Sequence, residues 1–265
     1  VAIGRNALIV QNFTTATDAF NVAIGDRVGT SITTARFNNL IGGLAGDALT
    51  TGNSNIAIGY NSLGADTKGE NSVAIGDQAL AAQNFTTATD SHNVAVGASA
   101  GISVTTGVNN TLIGALAGDA LTDADHNIAI GFNALTSDTL GSRSVAIGQG
   151  ALETQNFTTA TDVYNVGVGF HAGTSVTTGE GNTLVGGLAG DALTDADFNV
   201  AVGKNALSSD TLGSFNTALG INCLEQQNFT TATNSYNTAV GALAGGAVTT
   251  GIQNVLVGAG AGDAL

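Results

Sequence analysis

One tetrad governs this chain. Val1-Ala2-Ile3-Gly4 returns in degenerate form fifteen times, its glycine falling at Gly4, Gly25, Gly42, Gly59 and Gly76 and so on to Gly258. Successive spacings are 21, 17, 17 and 17 residues, and the set then repeats, giving a superperiod of 72. Each 21-residue unit carries the phrase Gln-Asn-Phe-Thr-Thr-Ala-Thr, identical at 11–17, 83–89, 155–161 and 227–233. A unit this short cannot bury an apolar face alone, so neighbouring units must stack and share one core. No linker, composition break or charge run interrupts the series, which reads as a single repetitive domain over 1–265.

Seventeen residues are too few for two helices and a turn, and no apolar stripe with i, i+3, i+4 spacing is present. Val-Ala-Ile is short, rich in β-branched residues and closed by Gly, the pattern of a strand ending in a turn. A second small-apolar step follows, such as Ala7-Leu8 or Ala134-Leu135, and then a polar turn. The expected fold is all-β: a parallel β-solenoid of about fifteen coils. At a rise of about 4.8 Å per coil, such a stack makes a rod roughly 70 Å long.

Comparing the repeats shows what each position tolerates. The Ile3 position is always Ile, Val or, once, Leu219. The Ala2 position carries Ala, with Leu40, Leu112, Leu184 and Leu256 at 72-residue steps and one Gly167. Adjacent strand residues face opposite ways, so both faces are apolar. We assign the larger residue to the chain's own core and the smaller one to close approach by another chain. On that assignment Ala2, Ala23, Leu40, Ala74, Leu112, Ala146, Leu184 and Leu256 are interchain contacts, the four Leu acting as plugs on a shared axis. Covering about one methyl group on each of the fifteen coils contributes at most roughly 12 kcal/mol, so self-association is expected.

Asn-Val-Ala-Ile-Gly at 21–25 and Asn-Ser-Val-Ala-Ile-Gly at 71–76 resemble the head repeats of trimeric autotransporter adhesins of the YadA type. The pattern Asn-x-Ala-Ile-Gly-x-x-Ala-Leu-x-x-x-Thr-x-Gly at 127–141 is closer still to repeats of bacteriophage tail-fibre proteins. The likeness spans the whole chain, although the adhesin coils are usually shorter than 17 or 21 residues. It implies a homotrimer of left-handed β-rolls with an adhesive or spacer role. Handedness rests on the resemblance alone, since parallel crossovers in general are right-handed.

Composition narrows the partners. A net charge of −14 opposes every phosphate contact, so no nucleic-acid partner is expected. Mean hydropathy is +0.25, yet no apolar run approaches the roughly 20 residues of a spanning helix, and no membrane insertion is expected. The single Cys223 replaces Ala7, Ala79 and Ala151 of the other superperiods and reads as a small buried residue. The chain opens at Val1 inside the motif, without an initiator Met, so a piece of a longer protein is expected.

Catalytic, cofactor and metal sites are expected to be absent. Asp47, Asp119, Asp191 and Asp263 recur four coils apart, about 19 Å, too far to act as a hydrolytic pair. Asp123/Asp125 and Asp195/Asp197 have the spacing to share Ca²⁺, but the Gly-Gly-x-Gly-x-Asp signature of calcium β-rolls is missing, which favours solvated turn acids. His92 and His126 sit in slots filled elsewhere by Phe, Tyr or Ser.

The remaining surface-loop candidates are Phe13, Phe85, Phe157 and Phe229 of the long coil. They form either an exposed aromatic ladder for a sugar or receptor, or a satellite core under the four-residue insertion. The cost of exposing large apolar side chains favours the second. The function expected is a structural or adhesive fibre segment, the shaft of a phage tail fibre, with a host-surface glycan or protein as receptor. The alternative is the head of a cell-surface trimeric adhesin. The corresponding locations are the virion or the cell exterior.

Overall fold

The structure, a computed structural model, describes residues 1–263. It is a parallel β-solenoid of about fifteen turns, with no helix among the described residues. The chain forms two compact units, Val1–Ala129 and Ile130–Leu265.

In the first unit the strands Ala2–Ile3, Val22–Ile24, Asn39–Ile41, Ile56–Ile58, Val73–Ile75, Val94–Val96 and Thr111–Ile113 pair in that order. All pairs are parallel, and the register sets Ala23 beside Leu40, Ala57 beside Ala74 and Ala74 beside Ala95. In the second unit the same ladder runs through Val145–Ile147, Val166–Val168, Thr183–Val185, Val200–Val202, Thr217–Leu219, Thr238–Val240 and Val255–Val257. Register is unbroken across the long coils, since Ala146 pairs with Gly167 and Ala218 with Ala239.

The tetrad glycine ends each strand for a steric reason. Gly131 has φ of 137°, and a Cβ there would stand 2.5 Å from the carbonyl oxygen of Gly148 in the next coil. Only glycine permits both that torsion and that approach. The polar residue before each strand is equally determined. Asn38 accepts the Asn55 backbone N–H on Oδ1 (2.9 Å) and donates from Nδ2 to the Gly52 carbonyl (3.0 Å). Asn182 and Asn199 repeat the arrangement in the second unit. Each Asn thus pairs backbone groups that a thin β-coil would otherwise bury unmet.

The interior corrects the expected assignment of faces. Ala23, Leu40, Ala74, Leu112, Ala146 and Leu184 are all completely buried inside their own chain. Leu256, in the last coil, is partly covered, and Ala2, in the first coil, is exposed. The six buried residues are core of their own chain, not interchain contacts. The flanking Val and Ile point outward instead.

Space explains the inversion. The interior of each coil already holds the residues three and four places after the tetrad glycine, such as buried Ala79 and Leu80. Only Ala then fits at the strand centre. Leu enters where the fourth place is Gly: Leu112 fills the room left by Gly101 and Gly118, and Leu184 that left by Gly173 and Gly190, where an added Cβ would meet the leucine at 2.6–2.7 Å. The four Leu are therefore plugs in the chain's own core. Where the fourth place is Leu, as at Leu63 or Leu135, the seventh is the buried polar residue Asp66 or Asp138. Where it is Gly, the seventh is apolar, as at Leu49 and Val104.

Candidate interaction surfaces

The outer strand face is a regular surface in each unit. In the first unit it presents Val22 and Ile24, Ile56 and Ile58, Val73 and Ile75, and Val94 and Val96, with Asn39 and Thr111 as its polar members. In the second unit it presents Val145 and Ile147, Val166 and Val168, and their successors, with Thr183, Thr217 and Thr238 as its polar members. No charged residue occupies any of these positions. Most side chains there are partly exposed, Ile41 and Ile113 at 38% and Leu219 at 45%. Soluble surfaces seldom leave an uncharged β-branched array of this extent open to water.

The insertion of the long coil leaves the stack at one corner. Gly69 pairs with Thr89 and Glu70 with Asp90, an offset of twenty residues, and the strands then resume at twenty-one with Val73 opposite Val94. Gly141 with Thr161 and Gly213 with Thr233 repeat the offset in the second unit. The surplus residues Thr86, Thr87 and Ala88 lie exposed. The phenylalanines offered as surface candidates do not: Phe85, Phe157 and Phe229 are each only 6% exposed, and Phe13 is half-buried. They cover the coil wall beneath the insertion, so an exposed ladder of these rings is excluded.

A buried carboxylate fixes Phe85, Phe157 and Phe229. Asp66 Oδ1 accepts the backbone N–H groups of Gly69 (2.9 Å) and Phe85 (3.1 Å), while Oδ2 accepts Gln83 Nε2 (2.7 Å). Gln83 Oε1 in turn accepts Asn93 Nδ2 at 2.9 Å. Asp138 with Gln155 and Phe157, and Asp210 with Gln227 and Phe229, form the same lock. Thr67, Thr139 and Thr211 close it by donating to the phenylalanine carbonyl. Sequence reasoning passed over these aspartates. Their signal was available: an Asp-Thr pair seventeen residues before Gln83-Asn84, Gln155-Asn156 and Gln227-Asn228.

A second column of side chains stands at the corner just before the strand, in left-handed conformation. In the second unit Phe198, Phe215 and Tyr236 stack there with centroids 5.2 Å apart and planes within 26°. In the first unit Phe20 and Phe37 stack at 5.8 Å, and the Arg36 guanidinium lies 5.4 Å from the Phe37 ring centre. All five rings are at least 39% exposed.

Charged groups serve the wall of the coil. Asp125 accepts the Val108 N–H and Asp123 the Thr106 hydroxyl, with Asp197 and Asp195 doing the same for Glu180 and Thr178. Each pair therefore caps the preceding coil rather than converging on one point. Among the described residues no group of three or more His, Cys, Asp or Glu is placed to hold a metal ion. Arg5 forks across Asp26 with two 2.7 Å bonds and holds that carboxyl below its usual range. Burial pushes the carboxyls of Asp47 and Asp191 up. Cys223 is fully buried, donates to the Ala239 carbonyl, and has its thiol pushed up to about 11 by desolvation. At neutral pH that leaves essentially no thiolate nucleophile. His171 packs edge-on against Phe170 with Glu153 at 3.8 Å.

No family model and no curated protein matches the chain.

Proposed function

We propose that this protein is a structural fibre segment, the shaft of a phage tail fibre that positions host-receptor binding, built by three copies of the chain. The uncharged Val/Ile face carries this reading. Covering it is worth about 1 kcal/mol per side chain at most, so a dozen per unit give on the order of 10 kcal/mol, comparable to the cost of association. The partner is a second and third copy, because only an identical chain repeats β-branched side chains at the coil spacing along its whole face. The likeness to tail-fibre repeats supports the same assignment. Multivalency follows, since three parallel chains bring three terminal binding modules to one surface.

Light scattering on the purified segment should give about three times the 26.0 kDa chain mass. Replacing Ile58 and Ile75 by Asp should yield a folded monomer, because both side chains point outward. A monodisperse unsubstituted monomer at micromolar concentration would reject the reading.

The exposed stack of Phe198, Phe215 and Tyr236 favours a second reading, the head of a cell-surface adhesin whose sides hold a glycan or a protein. It requires the isolated segment to bind cells, and Phe215→Ser with Tyr236→Ser to abolish that binding. A shaft predicts neither.

A further inference from the structure

Folding accounts for only part of the phrase that the long coils repeat. In 83–89 and its copies at 155–161 and 227–233, the buried aspartate fixes the glutamine and the phenylalanine. The last threonine is fixed by its own turn, Thr89 donating to the Thr87 carbonyl at 3.1 Å and Thr161 to that of Thr159 at 3.0 Å. Asn84, Thr86, Thr87 and Ala88 lie exposed, as do their counterparts in the other copies. Positions at either edge of the phrase change from copy to copy. Ala82, Thr154 and Gln226 precede it, and Ser91-His92, Val163-Tyr164 and Ser235-Tyr236 follow shortly after it. The exposed residues inside it never change, so something other than packing constrains them.

We propose that these insertions are acceptor sites for asparagine-linked glycosylation, with Asn12, Asn84, Asn156 and Asn228 as the modified residues. Asn84-Phe85-Thr86 and its copies have the Asn-x-Thr acceptor spacing. The side chain of Asn84 meets the Thr67 hydroxyl at 3.1 Å, that of Asn156 meets Thr139 at 3.3 Å, and that of Asn228 meets Thr211 at 3.2 Å. Each of these hydroxyls already donates to a phenylalanine carbonyl, so the exposed amide keeps an N–H for an incoming group. Asn109-Asn110-Thr111 has the same spacing but is built into the coil wall. Its Asn109 Nδ2 lies 3.4 Å from His126 Nε2, Asn110 is buried, and Thr111 opens a ladder strand. The donor is a sugar activated through a diphosphate, and the catalyst is a separate transferase. Nδ2 bonds to the anomeric carbon, and the anomeric C–O bond breaks with its electron pair leaving on the diphosphate. The displaced amide proton passes to a base of the transferase. Each unit thus carries two sites four coils, or about 19 Å, apart. The inference is independent of the fibre assignment.

The test is peptide mapping by mass spectrometry, with electron-transfer fragmentation, on the chain isolated from the cells that make it. Asn84, Asn156 and Asn228 should carry a hexose or N-acetylhexosamine, and Asn109 none. Unmodified asparagine at all three, sugar on Thr86 or Thr87 instead, or equal modification of Asn109 would overturn the proposal. In the same cells Thr86→Val should abolish the addition at Asn84 alone, and Thr86→Ser should retain it. Circular dichroism should be the same for both variants, since the Thr86 side chain is exposed. Sugar persisting at Asn84 in Thr86→Val would equally overturn the assignment.

Discussion

Asp138 is acceptor-only and takes three N–H donors in a buried site. Asparagine has the same shape but sets an NH₂ group against one of those donors. Asp138→Asn should therefore cost about 2–3 kcal/mol in denaturant unfolding, nearly as much as Asp138→Ala. Gly131→Ala meets both a forbidden torsion and a backbone oxygen, and should cost at least as much. Asp191 behaves oppositely to Asp138. Its Oδ1 is buried without a partner, and burial raises its pKa although His171 acts the other way. A group raised in the folded state contributes stability that is full below the unfolded value near 3.9 and is lost as pH rises through the folded value. Asp191→Asn should accordingly raise the midpoint of thermal unfolding at pH 7 and leave it unchanged at pH 3. Cys223, with its thiol raised and covered, should resist alkylation at pH 8 until the chain is unfolded, as mass spectrometry of the intact protein would show.

Each coil is a three-residue strand with polar and apolar turns, and its parts are matched to those of its neighbours. Leu at the strand centre is tolerated only between two glycines, and a buried Asp or Gln occurs only where the fourth place is Leu. Substitutions should thus be read by coil class. Ala74→Asp places an unpaired charge in the core and should unfold the first unit, lowering its stability by more than about 3 kcal/mol. Ile75→Asp, one residue on, points outward and should change association instead; circular dichroism with light scattering separates the two outcomes. Gly118→Ala should displace Leu112, since the added methyl would stand 2.7 Å from a leucine methyl. The insertions impose no comparable constraint. Their exposed Thr86, Thr87 and Ala88 add a bulge without shifting register, so removing them should alter stability by less than about 1 kcal/mol.

Taken as a whole molecule, the chain has six tryptic sites and a charge of −14. Arg27 donates its backbone N–H to the Arg5 carbonyl and Arg36 to Asn53 Oδ1. Such ladder bonds should make the folded protein resist trypsin for hours while the denatured chain is cut at once, a gel-based comparison. The period determined much of this architecture unaided. Fifteen glycines at spacings of 17 and 21 locate every strand of the fifteen-stranded ladder, because a strand-end position that must pass under the next coil accepts nothing larger. The same spacing required the surplus residues of the long coil to leave the stack. Which face turns inward was not legible. In Val-Ala-Ile both faces are apolar, so the usual polar marker of solvent is missing, and residue size alone suggested the wrong answer. Only the packed coil shows that the interior is already filled from the turns and admits Ala, or Leu between glycines. The buried Asp66, Asp138 and Asp210 were hidden for a related reason. An Asp-Thr pair reads as a solvated turn until the next coil brings Gln83, Gln155 or Gln227 and a phenylalanine N–H across it. That contact spans seventeen residues or more, and the stacked structure alone creates it.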